Sequence, residues 1–459
     1  MVRLNRAIFR KYDIRGIFPE DLDADTVRRL GWAAGLLSGG GNGTLAVGRD
    51  CRLSGGRIFE WFSGGASSTG CRVLDLGIQT TPMTYFAAHL LAPDATAMIT
   101  GSHNPPAYNG FKLMKGLHTL YDGEIQEIRD LAESAPPEEH PAGTVERVSV
   151  ADRYAERLVS EFAFERSFTV VVDAGNGTGG GIACRLLEAL GCRVVPLFCE
   201  MEGSFPNHHP DPTIEENLAA LKREVVERRA DLGIAFDGDA DRLGLVDDRG
   251  RTVFGDRTLV LLARSLLETY PGSTVLSEVK ASSVFFSEVE KAGGRPVMCP
   301  TGHSIIKEAM AREGALLAGE MSGHIFFRDR YYGYDDALYA ALRLLELLSR
   351  SGRRLSDLLD TIPPMHSTPE IREDCSEEHK FEIVDRIRRS LSGRYRVTDI
   401  DGVRVDFPHG WGLVRASNTQ PVLVLRFEAD DPGEMRKYEA LIRSEIEDAK
   451  RGIDVQGAH

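Results

Sequence analysis

Three stretches of the chain repeat one pattern, and that repetition limits the fold more than any other feature. A short β-rich run enters a Gly- or Asp-rich turn, and an amphipathic helical segment follows. The first stretch has runs at Thr44 to Val47, Arg72 to Leu76 and Ala95 to Ile99, with helical spacing at Ile125, Ile128 and Leu131. The second has Phe168 to Val172, Arg193 to Leu197 and Leu232 to Phe236, with Leu218, Leu221 and Val225 one helical turn apart. In the third, Thr274 to Leu276, Arg295 to Met298 and Ala315 to Leu317 precede a long helical pattern from Leu338 to Leu348. Alternation of this kind predicts parallel α/β layers, here three related ones. Pro363-Pro364 breaks any helix. Beyond it a helix (Val384, Ile387, Leu391), short strands near Val403 to Phe407 and Val422 to Phe427, and a last helix (Met435, Tyr438, Ile442, Ile446) describe a smaller α+β domain. With the Pro-rich run from Pro136 to Gly143 and the turn Asp247-Asp248-Arg249-Gly250 as separators, the expected domains are 1–148, 149–250, 251–364 and 365–459.

A chain of 459 residues with 42% hydrophobic and 27% charged residues can bury several cores. Its formal net charge of -14 argues against nucleic acid as a partner, because phosphate backbones are held by excess Lys and Arg. A small anionic substrate stays open, provided its site is locally basic, which draws attention to Lys112 and Lys280 in Gly- or turn-rich surroundings. The 7 cysteines are scattered and never spaced as Cys-x-x-Cys, the usage of reduced cytoplasmic thiols. Met1 to Gly16 lacks the apolar core of a signal peptide and no run is long enough to span a bilayer, so no membrane partner is expected. The expected state is monomer or weak homodimer.

Four loops carry the chemistry. Thr100-Gly101-Ser102-His103-Asn104-Pro105-Pro106 follows an apolar run and consists of turn formers, which predicts an exposed loop at a strand's C-terminal end, where parallel α/β folds keep their sites. Ser102 is a candidate nucleophile with His103 beside it, although a Ser-His pair in a turn is more often structural. Asp237-Gly238-Asp239-Ala240-Asp241-Arg242 interrupts two apolar runs and sets three carboxylates at i, i+2 and i+4. In a tightly looped backbone they converge on one hard cation, for which Mg²⁺ suits better than Ca²⁺, since the Gly and Glu of a helix-loop-helix calcium site are missing. A solvated acidic turn is the bland alternative. An aspartyl-type sugar phosphatase with Asp237 as nucleophile would be the rival if Ser102 were absent.

In Gly319-Glu320-Met321-Ser322-Gly323-His324, a tight loop presents Glu, Ser and His, able to hydrogen-bond vicinal hydroxyls or merely to cap a helix. Arg415-Ala416-Ser417-Asn418-Thr419-Gln420 combines a guanidinium fork with hydroxyls and loop amides, either a phosphate cradle or an N-cap before a polar loop. The glycine-rich run Asp173 to Gly181 is discounted as a dinucleotide fingerprint, because Val194 and Val195 stand where an acidic ribose partner would be needed.

These loops, in this order and with Lys11-Tyr12-Asp13-Ile14-Arg15-Gly16 near the N-terminus, resemble the α-D-phosphohexomutase family over essentially the whole chain. The resemblance implies three mixed-sheet α/β domains and a TATA-binding-protein-like α+β domain around a central cleft. It implies an intramolecular phosphotransferase in which phosphorylated Ser102, itself a ligand of the Mg²⁺ that Asp237, Asp239 and Asp241 also hold, phosphorylates a hexose phosphate. A hexose 1,6-bisphosphate, also the activator, then returns its other phosphate to Ser102. Lys112 and Arg242 would position the transferred group, Glu320 and Ser322 the 3- and 4-hydroxyls, and Arg415, Ser417, Asn418 and Thr419 the idle phosphate. Tyr12, Arg15, Lys280 and His303 would reach the ligand, and His324 or Lys112 would move the proton. Met321 resembles the form acting on mannose and glucose phosphates, where phosphoglucosamine mutases tend to carry Gln, so the amino-sugar enzyme is the nearest alternative. Ala281 after Lys280, and Gln420 after Thr419, depart from the usual pattern without removing a donor.

Overall fold

The computed structural model describes residues 3–134, 143–417 and 421–457. The chain forms two compact units, one of residues 1–258 and 322–359, the other of residues 259–321 and 360–459.

The first unit holds two mixed sheets. In one, the parallel strands Ala95–Ile99, Thr44–Arg49 and Arg72–Ile78 lie side by side, with Tyr108–Lys115 and then Ile14–Ile17 added antiparallel at one edge. Apolar side chains of these strands (Leu45, Val47, Val73, Ile99, Phe111) bury against Val27, Leu30, Ile58 and Phe62 of the helices Ala24–Leu37 and Gly55–Ser67, and against Ile125 and Ile128 of Gly123–Glu133. Asp23 caps the first of these helices by accepting from Thr26 N at 2.8 Å. In the other sheet the parallel strands Arg193–Leu197, Thr169–Asp173 and Leu232–Phe236 continue into antiparallel Leu243–Asp247 and Thr252–Val253. The turn after Leu243–Asp247 closes on the Asp247 carboxylate, which accepts from Arg249 N and Arg251 N.

The second unit contains the parallel strands Arg295–Cys299, Thr274–Glu278 and Leu317–Gly319. The last of these begins two residues later than the expected run from Ala315, because Gly314, at φ +64°, ends the helix His303–Glu313 and the chain must still turn before pairing. It also holds an antiparallel sheet built on Val403–Phe407, Gly410–Ala416 and Val422–Ala429, covered by the helices Lys380–Leu391 and Pro432–Gly457. The helix Ala337–Ser351 falls in the first unit, where Tyr154 Oη donates to Asp336 at its N-terminus and Ser349 Oγ accepts from Glu165 N. No described helix is long and apolar enough to cross a membrane.

Candidate active site

The loop after Ala95–Ile99 does leave the C-terminal end of a parallel strand, but it is not exposed throughout. Pro105, Pro106 and Ala107 face solvent, whereas Ser102 is buried. The difference arises because partners below the loop satisfy its polar groups: Asp50 Oδ2 accepts from Thr100 Oγ1 and Gly101 N, and Arg15 Nη1 donates to Gly101 O at 3.1 Å. Ser102 adopts a left-handed backbone with φ +47°, uncommon for a residue with a Cβ. Its Oγ donates to Asp237 Oδ2 at 2.7 Å and lies 3.1 Å from His103 Nδ1. Burial, then the nearby Arg242 and Arg15 charges, keeps the His103 imidazole neutral well below its ordinary range.

Asp237, Asp239 and Asp241 are fully buried, and one oxygen of each lies within 4.8 Å of the others. Asp237 Oδ1 accepts from the amides of Asp241 and Arg242, folding the loop back on its first carboxylate. Lys112, from the strand Tyr108–Lys115, sets its ammonium 2.7 Å from Asp239 Oδ2 and 2.5 Å from Asp241 Oδ2. Thr81, at the start of the helix Thr81–Leu91, donates to Asp239 Oδ2 at 2.6 Å. Burial and the adjacent Asp239 and Asp241 charges hold the Asp237 carboxyl well above the usual range. Asp239 goes the other way, because Lys112 outweighs its burial. Burial would lower the Lys112 ammonium as well, but the two carboxylates raise it well above a free lysine.

His324 Nδ1 faces Asp335 Oδ2 at 3.1 Å and Asp241 Oδ1 at 3.6 Å, while Nε2 accepts from Arg242 Nε at 3.1 Å. Burial disfavours its charge, yet Asp241 and Asp335 raise its pKa above the ordinary value. Gly323 brings it there: with φ +91° and Leu243 O 2.5 Å from where a Cβ would stand, no other residue fits the pairing of Gly323 O with Leu243 N.

Of the remaining expected residues, Tyr12 lies in this first unit beside Lys11, and Ser322 belongs to the same unit. Lys280, His303, Glu320, Arg415 and Ser417 belong to the second unit. There Glu320 Oε1 accepts from Gly302 N at 2.7 Å, next to His303 at the start of its helix. Lys280 pairs with Glu370 at 3.2 Å, and the Lys280 charge holds the Glu370 carboxyl down to about 2. Arg415 is not a loop residue: it is the penultimate residue of the strand Gly410–Ala416 and pairs with Asp401 at 3.1 Å. Asn418 and Thr419 lie outside the described residues.

The whole chain matches known proteins. Residues 6–138, 152–250 and 254–365 match the families described as phosphoglucomutase/phosphomannomutase alpha/beta/alpha domains I, II and III, and residues 370–445 match the C-terminal domain of the same set. A phosphomannomutase/phosphoglucomutase of Pseudomonas aeruginosa is 45% identical over 454 residues, 98% of each chain. The chain belongs to the phosphoglucomutase/phosphomannomutase family. A phosphoglucomutase of Neisseria gonorrhoeae is 42% identical over 452 residues, 97% of this chain and 98% of that one. A crystal structure of a phosphoglucomutase/phosphomannomutase family protein from Burkholderia thailandensis superposes with a TM-score of 0.91 at 41% identity, covering 98% of this chain and 99% of that one.

The carboxylate triad of this phosphoglucomutase/phosphomannomutase chain fits a divalent cation. Asp239 Oδ1 and Asp241 Oδ1 are buried and accept no hydrogen bond, and one lysine does not balance three carboxylates. Several residues that organise the loops escaped the sequence reading. Asp50, Arg52 and Thr81 hold the Ser102 and Asp239 loops, and Asp401 joins Arg415 to Thr301 N. Glu278 receives Lys280 N, Thr301 Oγ1 and Met321 N, tying three segments to one buried carboxylate. The polar break Asp50-Cys51-Arg52 directly after an apolar run was the available signal for the first pair. For Glu278 and Asp401 there was none, because an acidic residue at a strand end or in a turn between strands is commonplace. The discounted glycine turn serves packing: Thr178 donates to Gly238 O from both its amide and its hydroxyl, bracing the loop of three aspartates.

Proposed function

We propose that this chain is a magnesium-dependent phosphohexomutase, with Ser102 carrying the phosphoryl group between the 1- and 6-oxygens of mannose and glucose phosphates. The observation that carries the reading is the 2.7 Å contact of Ser102 Oγ with Asp237, in the middle of a carboxylate triad suited to a divalent cation. In that reading Asp237, Asp239 and Asp241, with Ser102, would hold Mg²⁺, which would supply positive charge against the phosphoryl group.

The chain's own groups account for the rest. Phosphorylated Ser102 loses its phosphoryl group to a sugar hydroxyl: the bond from phosphorus to Ser102 Oγ breaks and one to the sugar oxygen forms. The hydroxyl proton goes to His324 Nε2, which gives up its hydrogen bond from Arg242 Nε to take it while Nδ1 faces Asp335, and the departing Ser102 Oγ takes a proton from solvent to regain the hydroxyl that donates to Asp237. Lys112 is supported as a fixed positive charge and not as the base, since two carboxylates hold its proton. Arg242 and Arg15 add positive charge next to Ser102, and the neutral His103 offers it a hydrogen bond. Glu320 and Ser322 are assigned the vicinal hydroxyls, which exchange places when the bisphosphate turns over, Tyr12, Lys280 and His303 are assigned to reach the ligand, and Arg415 and Ser417 to hold the idle phosphate. Asn418 and Thr419 join that group by their place in the motif. The free thiols are in keeping with a cytoplasmic enzyme.

The test is intact mass and turnover together. Protein treated with hexose 1,6-bisphosphate gains one phosphoryl group and interconverts the hexose phosphates, and Ser102→Ala loses both. Full turnover by that variant sinks the reading, and turnover of glucosamine phosphate in preference to both hexoses would shift it to the amino-sugar reaction.

A further inference from the structure

We propose that Arg52 is a positioning residue for phosphoryl transfer: it clamps the backbone of the Ser102 loop so that Ser102 holds its left-handed conformation with Oγ aimed at the carboxylate triad. The proposal rests on the functional reading above for its kinetic consequence, and on geometry alone for the clamp.

Arg52 is 3% exposed and makes five contacts, one for each of its N–H donors. Nε donates to Asp50 Oδ2 at 3.2 Å. Nη1 donates to Pro105 O at 2.6 Å and Tyr108 O at 2.9 Å, and Nη2 donates to Ser102 O at 2.7 Å and Asn104 O at 2.6 Å. Four carbonyls between Ser102 and Tyr108 thus converge on one guanidinium. The Asp50 that orients it also takes Thr100 Oγ1 and Gly101 N from the other end of the loop. Between Gly101 and Tyr108, this one ion pair takes up four backbone carbonyls and one backbone amide.

The neighbours are cut to fit this group. A Cβ on Gly101 would lie 2.4 Å from Arg52 Cζ, so the loop can pass over the guanidinium only as glycine. The ring of Phe205 lies 5.1 Å from it, and a Cβ on Gly203 would stand 2.7 Å from Arg52 Cα. Arg52 thereby ties the segment that leads to Asp211, an acid 3.9 Å from Arg242, to the loop that carries the nucleophile. A non-glycine residue at φ +47° persists only where its surroundings overdetermine it, and here they do. Arg52 bonds carbonyls and not the serine hydroxyl, so its action on the reaction passes through the loop. A lysine would keep the charge but could not span acceptors arranged around a planar fork.

The experiment compares Arg52→Lys and Asp50→Asn with the wild type by steady-state kinetics and by hydrogen exchange. Loosening a nucleophile by about an ångström costs on the order of 100-fold in rate, so R52K should lose roughly that in kcat while KM moves less than about threefold. Amides of residues 100–108 should exchange faster in both variants while the rest of the first unit keeps its protection, and D50N should lose kcat in the same pattern to a smaller extent. A kcat within about threefold of wild type in the folded variants overturns the proposal. So does loss of protection throughout the unit, which would mark a merely structural role. If one variant fails to fold, the other decides. Should the wild type lack mutase turnover, the functional reading fails, and the exchange comparison still reads the clamp.

Discussion

Ser102 and Asp237, 135 residues apart in the chain, meet through a 2.7 Å hydrogen bond between the serine hydroxyl and the first carboxylate of the triad. The contact joins the loops that end strands of two different sheets of the first unit. It puts a hydroxyl beside three buried carboxylates whose mutual repulsion is relieved only in part by Lys112. The balance of charge around that contact can be measured.

Removing the lysine should expose the repulsion. Breaking a buried ion pair by deleting one partner costs roughly 3–5 kcal/mol, so Lys112→Met should lower unfolding stability by about that much in a chelator. A divalent cation binding only the folded state should return much of it. Thermal melts with EDTA and with excess Mg²⁺ check this, the expected result being a larger Mg²⁺-induced rise in Tm for the variant than for the wild type.

Asp336 gives a pH dependence of its own. It is buried among Tyr154, Tyr331 and Tyr339, accepts from Tyr154 Oη at 2.8 Å and Tyr331 Oη at 2.7 Å, and burial raises its carboxyl to about 6. The folded state then holds this proton more tightly than the unfolded state, so the contribution is fully present below the ordinary aspartate value of 3.8 and is lost as pH rises through about 6. Two pH units of separation amount to roughly 3 kcal/mol. Urea-unfolding curves between those limits should show this slope in the wild type and a flatter one in Asp336→Asn.

Arg415 and lysine should differ at the phosphate. Arg415 is buried and already oriented by Asp401, which suits its fork to a second, phosphate partner. Arg415→Lys should raise KM for the hexose phosphate about tenfold and leave kcat little changed, as loss of binding common to ground and transition states does. An equal fall in kcat would assign Arg415 to the chemical step.

Discrimination at carbon 2 should be weak, because the residues assigned to the sugar grip its 3- and 4-hydroxyls. The kcat/KM values for mannose 1-phosphate and glucose 1-phosphate are expected within a thousandfold of each other, a difference below about 4 kcal/mol. A larger ratio in coupled assays would require a contact at carbon 2 that Glu320 and Ser322 do not supply.

The amino-acid sequence by itself determined the α/β layers, the smaller C-terminal α+β domain and the polar loops at Ser102 and Asp237. These rest on local physics: the periodicity of apolar residues sets strand or helix, and a polar break in an apolar run marks the loop at its end. Strands such as Ala95–Ile99 and Leu232–Phe236, and the turn at Asp247, could be read without knowing their neighbours. The three aspartates could be read as a carboxylate cluster because their spacing is itself a local arrangement. Only the tertiary structure decided what surrounds those loops. The burial of Ser102 depends on Asp50 and Arg15, the protonation of Lys112 on Asp239 and Asp241, and the charge of His324 on Asp241 and Asp335, groups brought together by folding. Desolvation and Coulomb energies depend on distance through space, and the order of residues along a chain does not carry that distance.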